Sequence, residues 1–186
     1  MTATTRYLVL AAATAASLFA LPAQAEGWRF APLLTDPDFQ LEPSLALTAA
    51  HVEPTNDGAD SVNAFGIELN FNCGLIQSPD NRIRTHLSMS RIDEDDAEVT
   101  TFALSPRYTL PMGGGLSIGA GPSLALVKAE AGNRDENLFG YGVAAGLNYR
   151  AGALYAGFDL RYQATTEKSD LEFDNWAATA KVGINF

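Results

Sequence analysis

Hydrophobic and polar side chains alternate along most of the chain after residue 40, and clusters of Gly, Pro, Asn and Asp interrupt the alternation. A period of two marks a strand with a different environment on each face. Eight such segments are read, at about 41–52, 62–75, 82–92, 97–110, 116–129, 137–150, 153–165 and 173–186. In the second, Phe65, Ile67, Leu69 and Phe71 alternate with Gly66, Glu68, Asn70 and Asn72. In the seventh, Leu154, Phe158, Leu160 and Tyr162 oppose Tyr155, Asp159, Arg161 and Gln163. The prediction is an all-β fold of eight antiparallel strands connected up and down.

Two architectures share this pattern, and their interiors are opposite. A soluble barrel or sandwich packs its bulky apolar face inward, whereas a membrane barrel turns that face to lipid and encloses the smaller, polar one. Three features favour the membrane form. The less apolar face mixes charges with many Gly, Ser and Ala, as a narrow lumen requires. The segments are long enough for a tilted crossing, which takes about nine to eleven residues. The aromatics fall into two bands, Phe65, Phe139, Tyr162 and Trp176 near one set of strand ends and Tyr108, Tyr149 and Phe186 near the other, as interfacial girdles do.

Turn composition points the same way. The connections "QSPDN", "PMGGG" and "RAG" follow even strands and are tight, whereas "EPTNDGADS", "DEDD", "AGNRDE" and "TEKSDLEF" follow odd strands and are mostly longer and acidic. With both termini on the inner side, the tight turns are periplasmic and the acidic loops extracellular.

The first 25 residues carry Arg6, an apolar stretch from Leu8 to about Leu21 and Ala-Gln-Ala before Glu26, the layout of a cleaved secretory signal. The stretch is short and Ala-rich for a spanning anchor, which needs about 20 predominantly apolar residues. The expected organisation is a signal peptide over 1–25, exported through the general secretory pathway, a periplasmic segment over 26–40 and a barrel over 41–186. The 26–40 segment, with Trp28, Phe30, Leu33 and Leu34 among prolines, lies either at the inner interface or inside the lumen beside strands five and six. Removing Arg6 with the signal leaves 11 Lys and Arg against 22 Asp and Glu, a net charge of about −11. Such a chain lacks the basic surface that nucleic acid requires. The single cysteine, Cys73, forms no internal bridge and is read as a small apolar residue on the lipid-facing row.

The chain ends "AKVGINF", in which Val182, Ile184 and Phe186 alternate with Lys181, Gly183 and Asn185. In this ending and in its eight-strand pattern the chain resembles the small eight-stranded outer-membrane barrels: the transmembrane domain of outer-membrane protein A, the OmpX-like proteins and the opacity-type surface proteins. The resemblance implies a monomeric barrel in the outer membrane, in contact with its lipid and lipopolysaccharide. It also implies that Val182, Ile184 and Phe186 are the signal read by the barrel assembly machinery.

Three constellations could carry chemistry. Glu42, Glu68, Arg84, His86, Arg107, Asp159, Arg161 and Lys181 fall on the lumen side, where unpaired charges are costly. Lys181 is expected near Glu42, and Glu68 near Arg84 or His86. An eight-stranded barrel is just wide enough for its side chains to fill, so these form a plug or, in the alternative, line a thin path for water, ions or small solutes. The second constellation, His86 and Ser88 with Glu68, has the residue types of a base, nucleophile and orienting acid. A His-x-Ser pair occurs in one family of lipid A-modifying barrels, but here its parity points into the lumen. The third is the acidic rim, where Asp93, Glu94, Asp95 and Asp96 come nearest to a divalent-cation site without the spacing and glycine of a calcium loop. The reading is therefore a structural or cell-surface barrel without catalysis, cofactor or metal. A narrow channel and a lipid A-modifying enzyme are its alternatives.

Overall fold

The computed structural model describes residues 27–55, 60–94, 97–131, 134–166 and 173–186. Its elements are β1 (Arg29–Phe30), α1 (Pro32–Thr35), β2 (Ser44–Pro54), β3 (Val62–Asn72), β4 (Ile76–Gln77), β5 (Ile83–Glu94), β6 (Ala97–Gly113), β7 (Leu116–Ala131), β8 (Arg134–Ala151), β9 (Leu154–Thr165) and β10 (Asn175–Asn185). Eight of the strands close into an antiparallel barrel in the order β10-β2-β3-β5-β6-β7-β8-β9, while β1 and β4 form a separate two-stranded sheet.

Closure depends on the chain's ending. Asn185 pairs with Ser44, Ile184 with Leu45 and Val182 with Leu47, and the Phe186 amide donates to the Pro43 carbonyl. The last strand thus covers the edge that the first would otherwise expose, and no unpaired row of backbone groups is left along that seam. Asn185 fastens it further: its amide donates to the Gly152 and Leu154 carbonyls, and its Oδ1 accepts from Ser44 and Arg150.

The alternation sorts the side chains as an inverted barrel. Leu45, Leu47, Phe65, Ile67, Leu69, Phe102, Leu104, Phe158, Leu160 and Ile184 stand on the outside. Glu68, Asn70, His86, Arg107, Asn148, Tyr155, Asp159, Gln163 and Lys181 are enclosed. A small apolar cluster of Val52, Ala64, Ile92 and Ala177 fills the barrel near the ends of β2 and β10 that face the acidic loops. Pairing between β6 and β7 lapses between Leu104–Leu124 and Tyr108–Ala120. Pro106 and Pro122 sit in that gap, and neither has an amide to donate to a ladder.

Two expectations need correction. The connection after β3 is not a tight turn: residues 73–82 include β4, which pairs Arg29 with Gln77 and Phe30 with Ile76. Of the two positions open to the 26–40 segment, neither is decided by this: the part described from Gly27 onward pairs with that connection and not with the barrel strands. Cys73 is buried rather than lipid-facing, because β3 ends at Asn72 and the period of two stops with it; the Cys73 amide donates to the Ile83 carbonyl.

Candidate functional site: a buried charge cluster across the lumen

Lys181 on β10 faces inward and stands opposite Thr48 and Gly157 in the ladders. Its ammonium lies 2.8 Å from Glu68 Oε1 and 2.8 Å from Asp159 Oδ2, with Lys181 only 4% exposed. Arg107 Nη1 approaches Asp159 Oδ1 at 2.8 Å, an ion pair outside hydrogen-bond alignment. His86 Nδ1 is 3.0 Å from Glu68 Oε1. The Tyr155 hydroxyl, fully buried, lies 2.7 Å from Asn148 Oδ1 and 3.3 Å from Glu68 Oε1. Five strands, β3, β5, β6, β9 and β10, thus contribute ionisable side chains to one knot, with Asn148 of β8 joined through Tyr155.

Glycines make room for it. Asp159 faces Gly146 across the ladder and Lys181 faces Gly157. A Cβ at Gly146 would sit 1.9 Å from Asp159 Oδ1, and one at Gly157 would sit 2.7 Å from Lys181 Cε. The small residues on the inner face are therefore matched to particular long neighbours.

A second group lies at the end where β2 begins and β10 ends. Arg84 donates to Asn70 Oδ1, to Asn72 Oδ1 and to the Glu42 carbonyl, and its guanidinium is 3.5 Å from the Glu42 carboxylate. Arg150 reaches the same residue, donating to the Glu42 carbonyl at 2.9 Å with 4.0 Å to its carboxylate. Glu42 adopts a positive φ of 44°, and its carbonyl accepts from both arginines. The expected Lys181–Glu42 pair does not form. Glu42 precedes the first paired residue, Ser44, whereas Lys181 is four residues deeper than Asn185, the partner of Ser44. Of the two partners expected for Glu68, His86 is present and Arg84 is not.

Above the knot, toward the acidic loops, Thr48, Val52, Ser90, Arg107, Arg161 and Thr179 border a cavity of about 40 Å³. Arg161 is partly buried, and among the described residues its Nε has no hydrogen-bond partner.

The remaining candidates divide. Ser88 stands opposite Glu68 in the ladder, but among the described residues no hydrogen bond joins it to His86. Glu68, His86 and Asp159 hold donor atoms within 4.8 Å of one another, as a metal site would, yet the cation between the two carboxylates is the protein's own Lys181. Asp93 lies 3.3 Å from Arg91, which also binds Glu98 at 2.7 Å. Asp95, Asp96 and the side chain of Glu94 lie outside the described residues. Of the proposed girdle residues, Phe65, Phe139, Tyr108, Tyr149, Trp176 and Phe186 point outward, and Tyr162 packs on Trp176 with ring centroids 5.0 Å apart.

Sequence reasoning missed Tyr155, Asn148, Arg150 and the two spacer glycines as members of these clusters. Tyr155 carried a usable signal, since it shares the inward row with Asp159 and Arg161. Arg150 sits beside a turn, where parity says little.

The family model described as outer membrane protein beta-barrel domain matches residues 11–186. No curated protein matches the chain by sequence. Among solved structures, Neisserial surface protein A is similar with a TM-score of 0.55 and 17% identity, covering 77% of this chain and 95% of its own. The N-terminal β-barrel domain of Pseudomonas aeruginosa OprF gives 0.52 and 19%, covering 79% and 100%. Ail, the attachment invasion locus protein of Yersinia pestis, gives 0.53 and 14%, covering 80% and 100%. At these identities the likeness is one of fold.

Proposed function

Since the chain belongs to the outer membrane protein beta-barrel family, and its strands cross the outer membrane, we propose that it serves there as a monomeric structural or cell-surface barrel whose lumen is closed to solutes. The observation that carries this reading is Lys181 held between Glu68 and Asp159, with Arg107, His86 and Tyr155 around them. Opening a path would require separating charges that are enclosed and mutually compensating, which is costly. The second group, Glu42 with Arg84 and Arg150, narrows the mouth at the end of the termini.

On this reading the acidic loops face the exterior as a hydrated, repulsive rim, and outer-membrane lipid and lipopolysaccharide surround the strands. Residues 1–25 direct export through the general secretory pathway. Val182, Ile184 and Phe186 present the ending that the assembly machinery recognises. The names of two structural neighbours, a surface protein and an attachment invasion protein, accord with a role at the cell surface. Neither chemistry nor a cofactor is part of the proposal.

Liposome swelling tests closure. Vesicles carrying the refolded protein are expected to swell in small sugars no faster than empty ones. Swelling that scales inversely with solute size would replace this reading with that of a narrow channel.

A further inference from the structure

The two most exposed large apolar side chains among the described residues, Leu34 at 85% and Leu75 at 79%, lie outside the barrel strands. Phe30 at 70%, Leu33 at 54%, Trp28 and Ile76 accompany them. All belong to one feature, built from β1, α1 and the β4 connection.

This feature is tied down. Beyond the β1–β4 pairing, the Ala31 amide donates to the Leu75 carbonyl at 2.7 Å, and Leu33 packs against Gly74, where a Cβ would lie 3.0 Å away. Gln77 anchors β4 to the barrel: its Oε1 accepts from the Ile83 amide at 2.7 Å and its Nε2 donates to the Ile83 carbonyl at 2.8 Å. Arg29 binds Asp36 at 2.5 Å and Asn81. The apolar side chains are thus held outward on a fixed platform, and a contiguous exposed patch of this kind marks an interaction surface.

Its position identifies the occupant. The platform adjoins the outward row of β2: Leu41, just before the strand, and Leu45 and Leu47 on it are exposed, and the Asn72 amide that ends β3 donates to the Leu41 carbonyl. The patch therefore continues the surface that meets acyl chains. Its charges are balanced locally, Arg29 by Asp36 and Arg82 by Asp80, with Asp38 adding a negative charge, so nothing in it selects anionic headgroups. We propose that β1, α1 and residues 75–76 form a foot seated in the headgroup–acyl boundary of the leaflet on the side of the chain termini. Phospholipid is its partner, and apolar burial rather than lipid charge binds it. This rests on the membrane-spanning barrel and is independent of whether the lumen is closed.

The chain has two tryptophans, so Trp176→Phe leaves Trp28 as the sole reporter within the foot. The full barrel is refolded into phosphatidylcholine brominated near the headgroup or near the chain end, and acrylamide quenching is measured in parallel. A boundary depth of about 5–10 Å predicts stronger quenching by the shallow bromines than by the deep ones and little by acrylamide. Adding phosphatidylglycerol is expected to change neither. Adding Phe30→Ser and Leu34→Ser is expected to reverse the preference, with bromine quenching lost and acrylamide quenching gained while the band remains heat-modifiable. If that variant does not fold, the Trp176→Phe protein decides alone. Acrylamide quenching without bromine quenching there would place the foot in water, and shielding from both quenchers would assign the patch to a second copy of the chain; either result overturns the proposal.

Discussion

Lys181 and Glu68 are 113 residues apart in the chain, on strands separated by β2, yet the ammonium lies 2.8 Å from the Glu68 carboxylate. Because that ammonium also meets Asp159 on β9, it joins the final hairpin to β3 across the closing seam, and the knot ties the closing strand into the lumen.

Removing the ammonium alone should be expensive. Lys181→Met leaves two enclosed carboxylates without their shared cation, and breaking a buried pair from one side costs about 3–5 kcal/mol. Urea unfolding in lipid bilayers should show that loss, with most of it recovered when Glu68→Gln and Asp159→Asn are added. Recovery distinguishes compensation of charge from loss of the lysine's packing.

Gly146→Ala tests the spacing on the other side of the knot. Its Cβ would lie 1.9 Å from Asp159 Oδ1, so the carboxylate must leave its place beside Arg107 and Lys181. A cost of about 1–3 kcal/mol is expected from overpacking. The cost should shrink in an Asp159→Ala background, since residues in contact are not additive.

Outward positions should obey lipid rather than packing. Phe158, between Leu147 and Ala180 in the ladders, faces out. Phe158→Arg is expected to destabilise the bilayer-embedded protein by about 2–4 kcal/mol if its depth is near the midplane. Unfolding in bilayers measures it, and an unchanged midpoint would contradict a lipid-facing role.

The turn at Asp80 carries a small pH dependence. The hydrogen bond from Arg82 Nε at 2.5 Å, with a further one from the Ser78 hydroxyl, holds the Asp80 carboxyl below its ordinary value. A lowered folded-state pKa means that this contribution is present above the ordinary carboxylate value and lost as pH falls through the folded one. Because the pair is largely solvated, the effect on stability is expected to be slight. Carbon-detected NMR titration of Asp80 should show a downward shift that Arg82→Gln reduces.

The contrast between these residues explains how far the sequence could be read. Period-two alternation is local, so the outward rows through Leu69 and Phe158 and the inward rows through Glu68 and Asp159 were legible without knowing any pairing. Partners inside the lumen depend on register and shear, which are global. That is why Lys181 was expected beside Glu42 and is found beside Glu68 and Asp159. Cys73 was misplaced because alternation was extended to residue 75, past the end of β3 at Asn72. The two-residue strands β1 and β4 are too short to carry a period at all, and β4 is held to the barrel by the Gln77 side chain on the Ile83 backbone.

Closure of the lumen is most directly tested by recording current across planar bilayers containing the refolded protein. The account predicts no discrete conductance steps for the native chain, and steps for Lys181→Ala combined with Glu68→Ala and Asp159→Ala, which empties the knot. Regular unitary steps from the native protein, unchanged when the knot is removed, would contradict it.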